Sequence, residues 1–263
     1  MNKILFQGLF LVALFFATLF ALRMVDWMKL FRVEKMTATT EQKLGDLLWD
    51  LINQSDKEIK DENITKPVDS ILTKICSANN IDRSEIKLHI ISSGEINAFA
   101  LPNKHLIVFE GLLEATDNEA EVAGVIGHEV GHMEQNHVMK KLIKEVGLTV
   151  LISMTSGNGG GEIIKETLKL LSSTAYDRSL EKEADIKSVD YLLNAHINPE
   201  PFANFLFKLA DDESKVEKNL SWIKTHPDSR ERAEYIIEYS KDKVRTFKPI
   251  LTQATWDTFK KSL

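Results

Sequence analysis

Two histidines and a glutamate stand together in His128-Glu129-Val130-Gly131-His132, and a second acidic run follows in Glu181-Lys182-Glu183-Ala184-Asp185. On a helix, residues four apart share a face, with side chains about 5–6 Å apart. The two imidazoles can therefore grip one metal ion. Glu129 sits beside them, placed to take a proton from an attacking water. Glu181 can supply a third, anionic ligand. Two histidines, one carboxylate and an open fourth position make the catalytic form of a zinc site. The expectation is one zinc ion per chain, and the chemistry implied is peptide-bond hydrolysis.

Glu181 and Asp185 also lie four apart. One carboxylate can bind the metal while the other orients a ligand histidine through its second nitrogen. Glu183 fits a solvated acidic face better. His137, five residues beyond His132, lies half a turn off the metal face and reads as structural or exposed. His89 and His105 alternate with apolar strand residues and do not read as ligands. His196 reads as a loop residue. His226 precedes Pro227, which confines it to extended backbone. It can act as a fourth, displaceable ligand, as a donor that steadies the reaction's oxyanion, or as a plain loop histidine.

These groups need a scaffold. Thr116-Asp117-Asn118-Glu119 fits a capping box and opens the helix that carries the histidines. Along it, Val122, Ile126, Val130 and Met133 form one narrow stripe, and Ala120, Gly124, Gly127 and Gly131 form the opposite one. A stripe of small residues allows close backbone approach, so this helix is expected to be central and packed on both sides. A capping box at Thr39-Thr40-Glu41-Gln42 predicts a helix to about Lys57, after a linker over Asp26–Met36. Further helices are expected over Lys66–Asn79, Glu162–Ser172, Ser179–Asn194 and Pro201–Asp212. Ile86–Ser92, Asn97–Leu101 and His105–Phe109 read as strands, the last two around a Pro102-Asn103 turn. Val146–Met154 is apolar but too short to span a membrane. The glycine-rich Ser156–Gly161 lacks the ending of a phosphate loop and reads as a flexible connection or lid.

Ile4–Leu22 is 19 residues without a charge, rich in Leu and Phe. As a helix it spans roughly 28 Å, close to the hydrocarbon core of a bilayer. It exceeds the usual apolar region of a cleaved signal peptide and no clear small-x-small site follows, so a retained anchor is preferred over a cleaved one. The expected division is an anchor over residues 1–24 and a protease domain over 25–263. Lys3 and Arg23 are the only charged residues up to position 23, so the body is more acidic than the net −6 of the whole chain. That argues against a nucleic-acid partner, which needs a basic footprint. Cys76 is the only cysteine, so no intramolecular disulfide forms, and its apolar-periodic neighbours make it a core residue. Basic residues after the run favour a cytoplasmic body. An apolar run beginning at residue 4 after one lysine looks instead like an export signal, and the extracytoplasmic side is preferred.

The set of motifs resembles the membrane-linked zinc metalloendopeptidases that include HtpX, the type I CAAX prenyl protease, the Oma proteases and the β-barrel assembly-enhancing protease. The residues that carry the resemblance are Asn97–Ala100 through Glu110–Leu113, Glu119–His137, Arg178–Asp185, and His226-Pro227 with Arg232. The resemblance implies that His128, His132 and Glu181 bind zinc, that Glu129 is the base, and that Asp185 orients a ligand from behind. It also implies that Asn97, Ala98, Phe99 and Ala100 form an edge strand receiving substrate, and that His226 lies on a loop able to approach the metal. HtpX and the prenyl protease have several membrane spans, whereas this chain has one candidate.

The expected fold is α+β and mostly helical, a zincin-like (gluzincin) domain with a small β-sheet behind one N-terminal transmembrane helix. The expected function is a single-pass membrane zinc metalloendopeptidase acting on polypeptides held extended along an exposed edge strand, notably misfolded membrane or envelope proteins. The alternative is a membrane-tethered chaperone or binding protein of the same fold with little turnover.

Overall fold

A computed structural model describes residues 33–158, 160–212, 221–243 and 246–263. The chain forms two units, Met1–Glu41 and Gln42–Leu263, and the site lies wholly in the second. The apolar Ile4–Leu22 run lies outside the described residues. Among those that are described, no helix is long and apolar enough to cross a membrane.

Helix α1 (Val33–Ser55) begins before the expected cap. Thr39 and Thr40 are therefore inside the helix, and the last residues of the expected linker are already helical. A Thr-x-x-Gln signature caps only where the chain enters from extended backbone, and Val33–Ala38 enters as helix. Helix α2 (Glu62–Ala78) starts earlier than expected because Asp61 caps it, accepting from Asn63 N at 2.8 Å. Its buried stripe runs Ile64, Val68, Ile71, Leu72, Ile75 and Cys76. Burial pushes the Cys76 thiol up to about 11, as suits a core thiol.

Strands β1 (Lys87–Ile91), β2 (Ala98–Leu101) and β3 (His105–Phe109) form one sheet in the order β1-β3-β2. β1 runs parallel to β3 with Lys87 opposite His105. β2 runs antiparallel with Ala98 opposite Val108 and Leu101 opposite His105. Asn103 and Lys104 turn the hairpin with φ of 60° and 55°. The strands thus fall where alternation places them, and β2 is an edge strand.

Helix α3 (Glu110–Ala115) leads into α4 (Glu119–Glu134), the histidine helix. The cap is Asn118, whose side chain accepts from Ala120 N and Glu121 N at 3.1 Å, while Glu121 reaches back to Asp117 N at 2.8 Å. The expected box at Thr116 and Glu119 does not form: the cap lies two residues later, and Glu119 accepts instead from Ile250 N and Leu251 N. Val122, Ile126, Val130 and Met133 are buried. The glycine stripe faces α8 (Arg178–Asn194) and α9 (Glu200–Asp212). A Cβ at Gly124 would stand 2.3 Å from the Phe202 Cβ, and one at Gly127 would stand 2.8 Å from Ser188 Oγ. Three glycines cost the helix about 3 kcal/mol. Burying the four apolar side chains contributes roughly 6–12 kcal/mol, so packing outweighs propensity.

After α4 the backbone breaks at Asn136, in left-handed conformation with φ 55°, and α5 (His137–Glu145) departs. Gly147, φ 90°, interrupts the apolar Val146–Met154 run before α6 (Leu148–Ser153). A turn over Met154–Asn158 follows, then α7 (Gly161–Ser173). Three more helices, α10 (Ser221–Thr225), α11 (Ser229–Ser240) and α12 (Gln253–Ser262), complete the described elements.

Candidate metal centre

His128 and His132 sit one turn apart on α4, and their Nε2 atoms come within 3.0 Å of each other. Glu181, in the first turn of α8, brings Oε1 to 3.2 Å from His132 Nε2. His226, just after α10, points its Nδ1 into the same space, 3.1 Å from His128 Nε2 and 2.9 Å from Glu181 Oε1. The four ligand atoms lie within 4.8 Å of one another. All four side chains are buried: both α4 histidines and His226 are 0% exposed and Glu181 is 3% exposed.

The donor set fits a metal. A tetrahedral site with ligands about 2.0–2.2 Å from the ion separates its ligand atoms by about 3.3–3.6 Å, which falls between the shortest spacing here, 2.9 Å, and the 4.8 Å within which all four lie. His128 turns its Nδ1 to Asp185 Oδ1 at 2.8 Å. A proton held there leaves Nε2 as a lone pair aimed at the cluster. Burial pushes His128 down to about 3, so the ring is neutral, as a ligand must be. Burial also lowers His226. For Glu181, burial opposes the charge, but His226, Arg232 and His128 outweigh it and hold the carboxyl well below its ordinary range.

Behind the cluster stands Arg232 of α11, 2% exposed. Its guanidinium makes a bidentate pair with Asp185, Nε to Oδ2 at 2.8 Å and Nη2 to Oδ1 at 2.7 Å. Nη1 lies 2.9 Å from Glu181 Oε2 and donates to the His226 carbonyl at 3.0 Å. One cation thus holds the carboxylate behind His128, a ligand carboxylate and the backbone of His226. The Tyr235 hydroxyl also donates to Asp185.

Glu129 faces the other way, toward the sheet. Its Oε2 accepts from Ala100 N at 3.1 Å, and its Oε1 lies 3.4 Å from His226 Nε2. Burial pushes Glu129 up to about 7, opposed by His132 and reinforced by Glu181. A carboxylate at that value accepts and returns a proton near neutral pH.

The structure brings His128, His132, Glu181 and His226 together, with Glu129 and Asp185 beside them. Asn97, Ala98, Phe99 and Ala100 do lie at the sheet edge, but they are buried, at 0–3% exposure. An open edge is therefore corrected to a covered one. Helix α7 packs over β2, and Trp222 N donates to the Ile96 carbonyl at 3.1 Å. His137 is buried, not exposed. The break at Asn136 turns it back so that its Nδ1 meets His132 Nδ1 at 3.1 Å. Among the described residues, sequence reading missed Tyr176, whose ring lies 4.2 Å from that of His132, and Trp222, 4.7 Å from His226. Neither carries a spacing signal. Arg232 carries no helical spacing to Asp185 or Glu181, and only the family resemblance singled it out.

The sequence pattern of peptidase family M48 matches residues 62–240, and the chain belongs to that family. The chain is 26% identical over 231 residues to the β-barrel assembly-enhancing protease of Yersinia pestis, covering 82% of this chain and 46% of that one. It is 33% identical over 174 residues to metalloprotease LoiP of Escherichia coli, covering 63% and 68%. To the mitochondrial metalloendopeptidase OMA1 of Schizosaccharomyces pombe it is 26% identical over 174 residues, covering 65% and 52%. The chain spans about half the length of several of the curated relatives it matches.

Proposed function

We propose that this member of the M48 peptidases is a zinc-dependent endopeptidase that cleaves polypeptides held extended along β2. His128, His132 and Glu181 would hold the metal, which supplies Lewis acidity when bound. Glu129 takes a proton from the attacking water and passes it to the leaving amine. The observation that carries the reading is the position of Glu129. One of its oxygens faces the ligand cluster while the other accepts from the β2 backbone at Ala100. The base therefore stands between the metal ligands and the strand along which a substrate adds as a further strand.

His226 is the latch in this reading. Its Nδ1 lies among the other three ligand atoms, where it would serve as a fourth ligand, and its Nε2 faces the base. Substrate entry displaces it, which explains why the centre is buried at rest. We assign residues 1–24 as a membrane anchor and 25–263 as the protease domain. The apolar start of the chain and the β-barrel assembly relative support an extracytoplasmic body, with misfolded membrane or envelope proteins as substrates.

The test is cleavage of an unfolded protein such as casein by the full chain, with and without chelator. Glu129→Gln keeps its zinc but loses at least 10²–10⁴-fold in rate, because the amide accepts no proton. Near-normal cleavage by the folded variant places the base elsewhere. Comparing the envelope proteomes of cells carrying wild type and Glu129→Gln identifies the substrates.

A further inference from the structure

Beside the metal centre lies a cavity of about 180 Å³, between α5 and the segment leading into α8. Its wall includes Lys140, Lys141, Lys144, Glu145, Tyr176 and Asp177. The two carboxylates are both held by Lys144, Asp177 at 2.7 Å and Glu145 at 3.8 Å. Lys140 is exposed at the rim. Lys141 is only 5% exposed. Its ammonium donates to the Thr174 carbonyl and rests 4.1 Å above the Tyr176 ring. Among the described residues no carboxylate comes within ion-pair distance of it. A buried charge without a directly paired counter-ion is costly; Lys141 lines the cavity, and Glu181, Glu145 and Glu129 act on it only from beyond ion-pair distance.

The cavity shares a wall with the metal centre. The same Tyr176 ring packs against His132 at 4.2 Å and stacks on His226 at 5.7 Å. Tyr176 N also donates to the Thr225 carbonyl, next to His226, at 3.1 Å. The cavity is smaller than the roughly 300–1,000 Å³ of ordinary ligand pockets, so it has room for one side chain or one chain end. The body around it is acidic overall, with 39 acidic and 33 basic residues in the chain. A cationic cavity here is therefore a local feature and not a reflection of the whole.

We propose that this cavity is a specificity pocket that takes one carboxylate of the polypeptide substrate, with Lys141 as counter-ion and Tyr176 as its wall toward His132. The inference rests on the peptidase reading and adds a substrate preference to it: peptides with an acidic residue, or a free chain end, a short distance from the scissile bond. At neutral pH Lys141 remains a cation, since burial brings it down only to about 8.

The test measures binding, so it reports even when turnover is slow. Full-length Glu129→Gln chain is titrated with fluorescent peptides carrying Glu or Gln at each position in turn, and with chain-end acids against amides. We expect one position to favour the carboxylate roughly ten- to hundredfold, the scale of a charge-assisted hydrogen bond. Preference at an interior Glu identifies a side chain as the source, and preference for the acid over the amide identifies the chain end. Adding Lys141→Met abolishes the preference, Lys141→Arg retains it, and zinc content stays unchanged in both. Equal affinity for all peptides, no peptide binding, or a preference that survives Lys141→Met overturns the proposal. Casein cleavage by the wild-type chain reports separately on the peptidase reading.

Discussion

Arg232→Met is the perturbation that most directly tests the architecture of the centre. The arginine is 2% exposed and serves Asp185, Glu181 and the His226 carbonyl at once. Methionine fills similar space but leaves the 0% exposed Asp185 and the 3% exposed Glu181 without their shared cation. Removing one partner of a buried pair costs about 3–5 kcal/mol. A metal held at Glu181 would offset part of this, and the Tyr235 hydroxyl remains on Asp185, so the expected loss lies toward the upper end without metal and toward the lower with it. For a domain of this size each kcal/mol moves Tm by about 2–4 °C. Far-UV circular dichroism of the full chain in detergent then shows Tm falling by about 6–20 °C, more after chelation than before. The pH dependence has a fixed sign. Burial opposes the Asp185 charge, but Arg232 and His128 outweigh it and hold the carboxyl below its ordinary range. Its contribution is full above the unfolded value near 4 and fades as pH falls below it, so the gap between wild type and variant narrows in acid. A loss under about 1 kcal/mol at neutral pH refutes the reasoning. The two carboxylates are then served by water, reached through the adjoining cavity of about 240 Å³ lined by Arg178, Lys182 and Tyr235.

Three further outcomes are expected. His226→Ala raises basal casein cleavage with zinc content intact, since it removes the group facing both the ligands and Glu129; a rate lowered by about 10²–10³-fold assigns it to oxyanion stabilisation instead, and an unchanged rate assigns neither role. Gly124→Ala destabilises by about 1–3 kcal/mol in denaturant unfolding despite the better helix propensity, because the new methyl meets Phe202 at 2.3 Å; a stabilised variant refutes the close approach of α4 and α9. His105→Gln flattens the loss of stability between pH 6.5 and 4. Burial pushes His105 down to about 4 in a chain running Glu58, His89, His105, Asp46 with Lys87 alongside. The unfolded chain then binds protons that the folded one refuses, and acid unfolds it. Denaturant midpoints that fall equally in variant and wild type over that range assign the acid sensitivity to other groups.

The parts of the centre that were legible in the sequence are those fixed by helical spacing. His128 and His132 share a face because they are four apart, and Glu181 and Asp185 do so for the same reason. The glycine stripe announced that something comes close to α4, and Phe202 and Ser188 are what come close. Spacing is silent on what meets across helices. Asp185 lies behind His128 only because α8 crosses the glycine face of α4, and Arg232 reaches both acids only because α11 follows the His226 turn. His137 shows the limit most plainly. Continued as ideal helix it leaves the metal face, but a single left-handed residue at Asn136 returns it to His132. An asparagine tolerates that conformation, yet asparagine alone does not require it.

The covered edge of β2 follows from the same logic. Alternation can place Ala98–Leu101 in a strand and even at an edge, but whether that edge is open depends on where α7 and α10 settle, after two glycine breaks. In the closed arrangement the Ala100 N–H is satisfied by the catalytic candidate Glu129. An edge N–H that opens only to solvent invites unwanted pairing. The N–H of Ala100 opens onto Glu129 and is paired by it, so this position of the edge offers no free donor. The contact that satisfies this edge N–H is thus also the one that fixes the Glu129 carboxylate, while α7 and the Trp222–Ile96 bond cover the strand from outside.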